Sequence, residues 1–434
     1  MSTDTKVILG AKKLVFVEGR DGKNNNKVYN MYERGDGQFE AHWGRADPTK
    51  QDTLEETYLK ITVYPMSKWD STLRSKVKKG YEDMTELFHV ESKDPSKPKV
   101  EKDIFNIADS EIKRIMKLLS SYSNKSVKEN YEISSESVTV KMVDRAQEII
   151  DEIVGLIKVG TDKDAVNEKL LSLYKVIPRK MAHVGDYLLE ENINKDTISV
   201  AQDLLGSEQD TLDVMRGQVK MNAAQDEEEE EDGDDKPSGT IVDLMGLKME
   251  AVTDKATIDM IKKKMGPESN MFKSAFRVKN EKTFNKFDKY RNSADNKTVE
   301  LYWHGSRNEN WLSIMEGGLV LRPSNAVITG KMFGQSTYFS DKFKKSLGYT
   351  SLRGSYWANG SSDKAFLALY SVHVGNQYHI KKWEHSHSQL TEERLKRLGD
   401  YDSVFAHGGA DLRNNEYMVY NENQTTIEYL VEVS

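Results

Sequence analysis

His304-Gly305-Ser306 follows directly on the apolar run Leu301-Tyr302-Trp303. An imidazole at the end of a buried strand is either a satisfied structural residue or a group that orients a ligand. The adjacent glycine favours the ligand. A residue without a side chain lets an amide approach the backbone N–H and C=O closely.

Two tyrosines and a serine come next. Tyr338 stands in Gly334-Gln-Ser-Thr-Tyr338-Phe339-Ser340-Asp341, and Lys345-Ser346-Leu-Gly-Tyr349 follows it. Tyrosines in strands and helices are mostly core. Two of them with a hydroxyl donor between, bounded by glycines, also make a slot for a flat aromatic carboxamide. In Asn414-Asn415-Glu416-Tyr417, one carboxylate heads an apolar strand. It is either a solvated strand end or an acid placed to oppose positive charge.

Other chemistry is poorly provided for. Cysteine is absent, which removes disulfides, cysteine zinc sites and a thiol nucleophile together. His385 and His387, with Glu384 and His379 nearby, lack a third well-placed ligand, so no metal is expected. No Gly-x-Gly-x-x-Gly follows a strand and no phosphate loop ends in Gly-Lys-Ser/Thr. A nicotinamide dinucleotide used here is therefore not held in a Rossmann crevice as a hydride carrier.

These residues need elements to position them. Ala365 to Val374 is apolar enough for a central strand, and Ile427, Tyr429, Val431 and Val433 alternate with Glu428 and Glu432 as in a strand covered on one face. Trp311 to Gly317 reads as a short helix ended by glycine.

Upstream the pattern changes. Residues 1 to about 100 are strand-rich: Val7-Leu9, Leu14-Val17, Lys27-Tyr32 and Phe39-Trp43 are β-prone, separated by turns at Asp21-Gly22 and Asp36-Gly37. A polar helix is expected over about 51–61, then a strand and a basic segment through Lys79, and a linker over 92–100. From 101 to about 220 the period is helical. Ile112, Ile115, Met116 and Leu119 share one face, and Val138, Met142, Ile149, Ile153 and Ile157 another. A third helix opens at Thr161-Asp-Lys-Asp164, carries Val166, Leu170 and Leu173, and stops before Pro178. One or two more are expected from Leu188 to Met215, completing a bundle.

The net charge is −7, and the run Asp226–Asp235 alone holds nine acids. No packed core can be made from it, so it is expected to be disordered. The first hundred residues carry 18 basic and 16 acidic side chains, so composition gives little electrostatic case for nucleic acid. Arg74, Lys76, Lys78 and Lys79 make a modest basic patch that also suits a solvated face. Trp43-Gly44-Arg45 alone is a turn with a packed tryptophan. No apolar run reaches the ~18 residues needed to cross a bilayer. The expected setting is intracellular: nuclear in a eukaryote, otherwise cytoplasmic.

Taken together, Trp303-His-Gly-Ser306, Met332-Phe-Gly334 with Tyr338, Lys345-Ser346-x-x-Tyr349 and Asn415-Glu-Tyr417 resemble the catalytic stretches of the DNA-dependent poly(ADP-ribose) polymerases, in their short form without zinc fingers. Trp43-Gly44-Arg45 matches the signature of their WGR domain, and Tyr174-Lys-Val-Ile-Pro178 a helix end of their regulatory domain. The resemblance implies a multidomain α+β chain: a β-rich WGR-like DNA-binding domain over 1–100, an all-α regulatory bundle over 101–250 with an acidic insert at 225–239, and a mixed β-sheet ADP-ribosyltransferase domain over 251–434.

By the same resemblance the co-substrate is NAD⁺, without a metal. His304, Tyr338 and Glu416 match the catalytic triad. His304, Gly305, Ser306, Arg322, Tyr338, Ser346 and Tyr349 match the NAD⁺-binding set. Gly305 and Ser346 hold the nicotinamide amide, Tyr349 stacks on its ring, and Arg322 lies near the adenosine half. Trp43, Arg45, Lys76, Lys78 and Lys79 are the implied DNA contacts. Implied partners are DNA ends or nicks, protein acceptors including the chain itself, and no membrane, with a role in DNA repair. The implied chemistry is a dissociative transfer through an oxocarbenium-like state, opposed by Glu416. Single ADP-ribose transfer and an inactive DNA-end-binding scaffold are the alternatives, and the presence of Glu416 and of the full triad argues against them.

Overall fold

The computed structural model describes residues 10–45, 59–88, 103–130, 138–160, 162–194, 198–231, 239–321, 332–334 and 336–434. The expected strand at Val7-Leu9, most of the expected helix over 51–61 and the linker over 92–100 lie outside them. The chain divides into two compact units, Met1–Glu101 with Lys125–Val219, and Lys102–Asn124 with Lys220–Ser434. One boundary, between Glu101 and Lys102, falls beside the division expected near 100; the others follow Asn124 and Val219.

In the first unit, β1 (Ala11–Glu18), β2 (Asn25–Glu33), β3 (Gln38–Arg45), β4 (Lys60–Pro65) and, after α1 (Trp69–Lys78), β5 (Glu82–Asp83) form one sheet in the order β4-β3-β2-β1-β5. Its neighbours are antiparallel throughout. Asp21 and Gly22 take positive φ in the β1–β2 turn, as an Asp-Gly hairpin requires. The core is Leu14, Tyr29, Met31, Phe39 and Ala41, with Trp69 edge-on to Phe39 at 5.1 Å. Lys60 and Ile61, expected to end a helix, begin β4, because β3 offers them a ladder to join.

A short helix α2 (Thr85–Phe88) precedes α3 (Ser110–Asn130), whose residues to Asn124 belong to the second unit. The helices α4 (Val140–Val159), α5 (Lys163–Val176) and α6 (Ile198–Glu231) follow. Thr139 caps α4 through Met142 N–H, and Gly160 closes it at φ 70°. The α5 cap is Asp162, accepting from Asp164 N–H. Thr161 lies outside the described residues. Leu188 and Leu189, expected in a helix, stay outside one. The acidic segment is helical as far as Glu231, where disorder was expected. Glutamate is a good helix former, and extending an existing helix costs far less than nucleating one. Arg179 and Glu208, both buried, form an ion pair between the chain after α5 and α6.

In the second unit, α7 (Ile241–Leu244) leads to β6 (Leu247–Ala251), α8 (Lys255–Met265), β7 (Phe272–Asn280), α9 (Glu281–Ser293), β8 (Val299–Gly305) and α10 (Trp311–Gly317). Next come β9 (Thr337–Phe339), α11 (Phe343–Leu347), β10 (Ala365–His373), β11 (Gln377–Ile380), α12 (Glu392–Gly399), β12 (Ser403–Ala406), β13 (Glu416–Val419) and β14 (Thr425–Val433). They make two sheets, β6-β7-β14-β10-β8 and β11-β12-β13-β9. The run Ala365–His373 is an interior strand, as its composition predicts, and α10 ends at Gly318 with φ 83°.

The alternation in β14 does not leave one face bare. Ile112, Ile115, Met116 and Leu119 of α3 belong to the same core as Phe366, Tyr370 and Leu430. Glu432 is buried and paired with Arg114 of α3 at 2.7 Å. A polar face of the strand is thereby covered by a charged helix residue.

Candidate active site

Strand β8 delivers His304. Trp303 anchors it: its indole N–H donates to Lys264 O at 3.1 Å, and its ring packs edge-on to Phe343 at 5.1 Å. The Trp303 and Ser340 main chains exchange hydrogen bonds of 2.8 and 3.0 Å, which ties β8 to the end of β9. His304 Nδ1 then lies 3.1 Å from Tyr338 O. A carbonyl only accepts, so Nδ1 carries the hydrogen and the ring is fixed in orientation.

The glycine at 305 has a reason beyond ligand access. A Cβ there would lie 1.9 Å from Ser346 O. Helix α11 therefore packs directly on the β8 backbone, and the close approach brings Ser346 beside Gly305. The Ser346 hydroxyl donates to Trp303 O at 3.2 Å. The two groups matched to amide binding thus meet in one place, and Tyr349 follows with its N–H on Ser346 O at 3.1 Å.

Strand β13 delivers Glu416. It pairs with Ala406 on one side, while Met418 pairs with Tyr338 on the other. Asn415 fixes the approach, accepting from Gly408 N–H at 3.0 Å and donating to Asp341 at 3.3 Å. Behind it Tyr417 stacks between Tyr302 and Phe405, with centroids 4.1 and 4.7 Å away. Tyr338 is held by its hydroxyl, which accepts from Phe333 N–H at 3.1 Å. Burial pushes that phenol up; the Phe333 bond opposes this and the Glu416 carboxylate adds to it. Tyr349 is also pushed up, by burial and then by Glu416. Glu416 therefore acts on both tyrosines.

Lys345, not singled out as a site residue by its chemistry, pairs with Glu416 Oε1. Burial lowers its amine, and the carboxylate opposes this. The available signal was its place immediately before Ser346 in one short motif. Ser306 is differently engaged, accepting from Asn310 Nδ2 at 3.0 Å. Arg322 lies outside the described residues. His385 and His387 do not join His379: His387 Nδ1 accepts from Glu384 N–H, and His379 contacts His407 at 2.9 Å. Among the described residues no group of three or more His, Cys, Asp or Glu side chains could hold a metal. No helix among them is long and apolar enough to cross a membrane.

The residues matched to DNA contacts lie in the first unit. The Trp43 indole N–H donates to the Thr62 hydroxyl at 3.2 Å, and the Lys60 amine sits 5.2 Å from its ring. Arg45 donates to Asn24 O, Asn24 Oδ1 and Ala182 O at 2.7, 2.8 and 2.8 Å. Lys76 lies 3.6 Å over the Tyr29 ring, its amine lowered by burial and by Lys79 and Lys27. Lys78 and Lys79 are exposed.

Residues 255–434 match the poly(ADP-ribose) polymerase catalytic domain. A putative poly [ADP-ribose] polymerase-like protein, 100L of Invertebrate iridescent virus 6, is 35% identical over 161 residues, covering 36% of this chain and 82% of that protein. An uncharacterized protein of the same virus, 101L, is 31% identical over 46% of this chain and 76% of its own length. Human poly [ADP-ribose] polymerase 2 is 31% identical over 31% of this chain, but the match spans only 26% of that protein. The catalytic match begins at the head of α8 and takes in His304, Gly305, Tyr338, Ser346, Tyr349 and Glu416. The chain belongs to the poly(ADP-ribose) polymerase family and is an ADP-ribosyltransferase that uses NAD⁺ as its co-substrate.

Proposed function

We propose that the chain builds poly(ADP-ribose) on protein acceptors, itself included, and that DNA ends or nicks stimulate it. The observation that carries the polymer reading is the placement of Glu416. It heads a strand beside the one bearing Tyr338, is engaged by Lys345, and acts electrostatically on Tyr338 and Tyr349. In this reading the Gly305 backbone and the Ser346 hydroxyl grip the carboxamide, and Tyr349 stacks on the ring. His304, fixed through Nδ1, and Tyr338 hold the ribose in one pose, contributing by orientation. Arg322 serves the adenosine half, and Ser306 belongs to the same NAD⁺-binding set. Glu416 accepts from a ribose hydroxyl, opposes the positive charge that grows as nicotinamide leaves, and takes the proton of the acceptor hydroxyl.

The DNA reading rests on the likeness of residues 1–100 to a WGR domain, with 101–250 read as a regulatory domain and 251–434 as the catalytic one. DNA binding would have to favour an open state of the regulatory helices over a closed one. The acidic run is read as a solvated spacer.

Two measurements test these readings. Glu416→Gln is expected to keep NAD⁺ binding and lose chain elongation by about a hundredfold or more, the scale of a lost transition-state charge partner; full-length polymer from that variant rules out the role. Nicotinamide release is expected to rise when nicked or broken DNA is added; equal turnover with and without it rules out activation.

A further inference from the structure

Lys345 works against the role given to Glu416. Its ammonium is paired with Glu416 Oε1, and both side chains are largely buried. Seen from a few ångströms away, a carboxylate in contact with an ammonium is close to neutral. A neutral pair cannot oppose the positive charge that grows on the sugar as nicotinamide leaves. That needs net negative charge fixed beside the reacting atoms. The neighbouring lysines are turned to other partners: Lys342 donates to Asn414 Oδ1 at 3.3 Å, and Lys344 pairs with Glu268 at 3.8 Å.

A second carboxylate is held against the strand that bears Glu416. Asp341 lies in the turn between β9 and α11, and that turn is pinned. Ser340 exchanges main-chain hydrogen bonds with Trp303, and Lys342 N–H donates to Ser340 Oγ at 3.0 Å. Asp341, exposed and without an ion pair among the described residues, accepts from Asn415 Nδ2 at 3.3 Å and from the Tyr417 hydroxyl at 3.5 Å. Those two residues flank Glu416 in the chain. Burial lowers the Lys345 amine, and Glu416 and then Asp341 oppose this, so the ammonium feels both carboxylates.

We propose that Asp341 is a positioning residue for the transfer: its charge offsets that of Lys345, so that Lys345, Glu416 and Asp341 together keep one net negative charge beside the ribose. The proposal rests on the reading of Glu416 given above. Lys345 holds the Glu416 carboxylate in one orientation, and Asp341 keeps that ammonium from cancelling it. The two acids differ in kind. Glu416 meets the substrate, whereas Asp341 acts only through Lys345. An exposed carboxylate is screened by salt, so its effect is smaller than that of Glu416.

The test measures incorporation of labelled ADP-ribose from NAD⁺ by the full chain. The variants are Asp341→Asn, Asp341→Glu, Lys345→Met, Glu416→Gln and the double variant Asp341→Asn/Lys345→Met. Asparagine keeps an oxygen for Asn415 and Tyr417 but removes the charge. Asp341→Asn is expected to lower kcat about tenfold, less than the loss of a transition-state charge partner, with KM for NAD⁺ within about twofold. Asp341→Glu restores most of kcat because it restores the charge. In the Lys345→Met background no ammonium is left to offset, and there Asp341→Asn costs less than about twofold. A merely structural carboxylate costs the same in both backgrounds. A shift in folding would also appear in both, so the cycle decides the matter whether or not melting changes. An equal cost in the two backgrounds overturns the proposal. So does a kcat untouched by Asp341→Asn, a loss that Asp341→Glu does not restore, or a loss confined to KM, which would assign Asp341 to donor binding. Glu416→Gln judges the underlying reading separately. Elongation at the wild-type rate there ends the reading of Glu416, whereas a slow Glu416→Gln beside an unaffected Asp341→Asn ends only the proposal.

Discussion

In the second unit, the side chains matched to chemistry converge: α11 packs on the β8 backbone at Gly305, and Ser346 and Lys345 come with it to Gly305 and Glu416. In the first unit, side chains matched to DNA contact are mostly spent on the fold. Arg45 gives three hydrogen bonds to protein oxygens, and Lys76 lies over Tyr29. A short motif therefore carries different information in the two places. Around Ser346 it sets a site. Around Arg45 it first sets the fold, and any surface for a partner lies next to it.

The largest effect that sharpens this contrast is structural. Glu208→Ala removes the carboxylate that the buried Arg179 guanidinium pairs with. Burial raises the Glu208 carboxyl and Arg179 opposes this. Breaking one side of a buried pair costs about 3–5 kcal/mol. Denaturant unfolding should show a loss of that size; a loss below about 1 kcal/mol would mean that the pair is dispensable and the first unit is held by its apolar core alone.

Next in size is Gly305→Ala. A Cβ 1.9 Å from Ser346 O must push α11 off the strand. A displacement of about an ångström in a positioning element costs about a hundredfold in rate. Nicotinamide release per enzyme should fall by about that factor while most of the fold survives. Activity within threefold of wild type would show that Ser346 need not sit against the strand.

A third effect concerns α3. Burial alone would raise Glu432, but hydrogen bonds from Arg114 and Ser274 and the pull of Arg114 and Lys364 hold it below the ordinary carboxylate range. A carboxyl depressed in the folded state adds stability that is present above its unfolded value and lost as pH falls through the folded one. Arg114 is over a third exposed, so the pair is partly screened. Arg114→Ala should cost about 1–2 kcal/mol at neutral pH and move the acid unfolding limb to higher pH. An unmoved acid limb would mean that another carboxylate sets it.

Much of the second unit was legible in the sequence because its signals are local. An unbroken apolar run makes β10, a glycine stops α10, and an apolar run leading into His304-Gly305 makes β8. What stayed hidden depends on partners far along the chain. Glu432 reads as the wet face of an alternating strand, and nothing near it announces Arg114, 318 positions away. Periodicity marks the buried face of α3, but it reports that a face is buried and not against what. Lys345 carries no local signal, because a lysine beside a serine looks like surface until a carboxylate is folded onto it. The inward turn of Arg45 has the same cause, since Ala182 O is not foreseeable from Trp-Gly-Arg.

The smallest effect separates the cations of the first unit from one another. Lys78 and Lys79 are exposed, at and just past the end of α1, while Arg45 is engaged. If this unit binds DNA as proposed, each lysine that meets a phosphate releases about one counterion. Lys78→Ala with Lys79→Ala should then lower the slope of log affinity against log salt by up to about 2, with no change in melting temperature. Arg45→Ala should act the other way round. It removes three internal hydrogen bonds, so melting should fall first and affinity only as a consequence, with the salt slope kept. A full slope change from Arg45→Ala at unchanged stability would erase the contrast between the units, because the guanidinium would then serve DNA rather than hold Asn24 and Ala182 together.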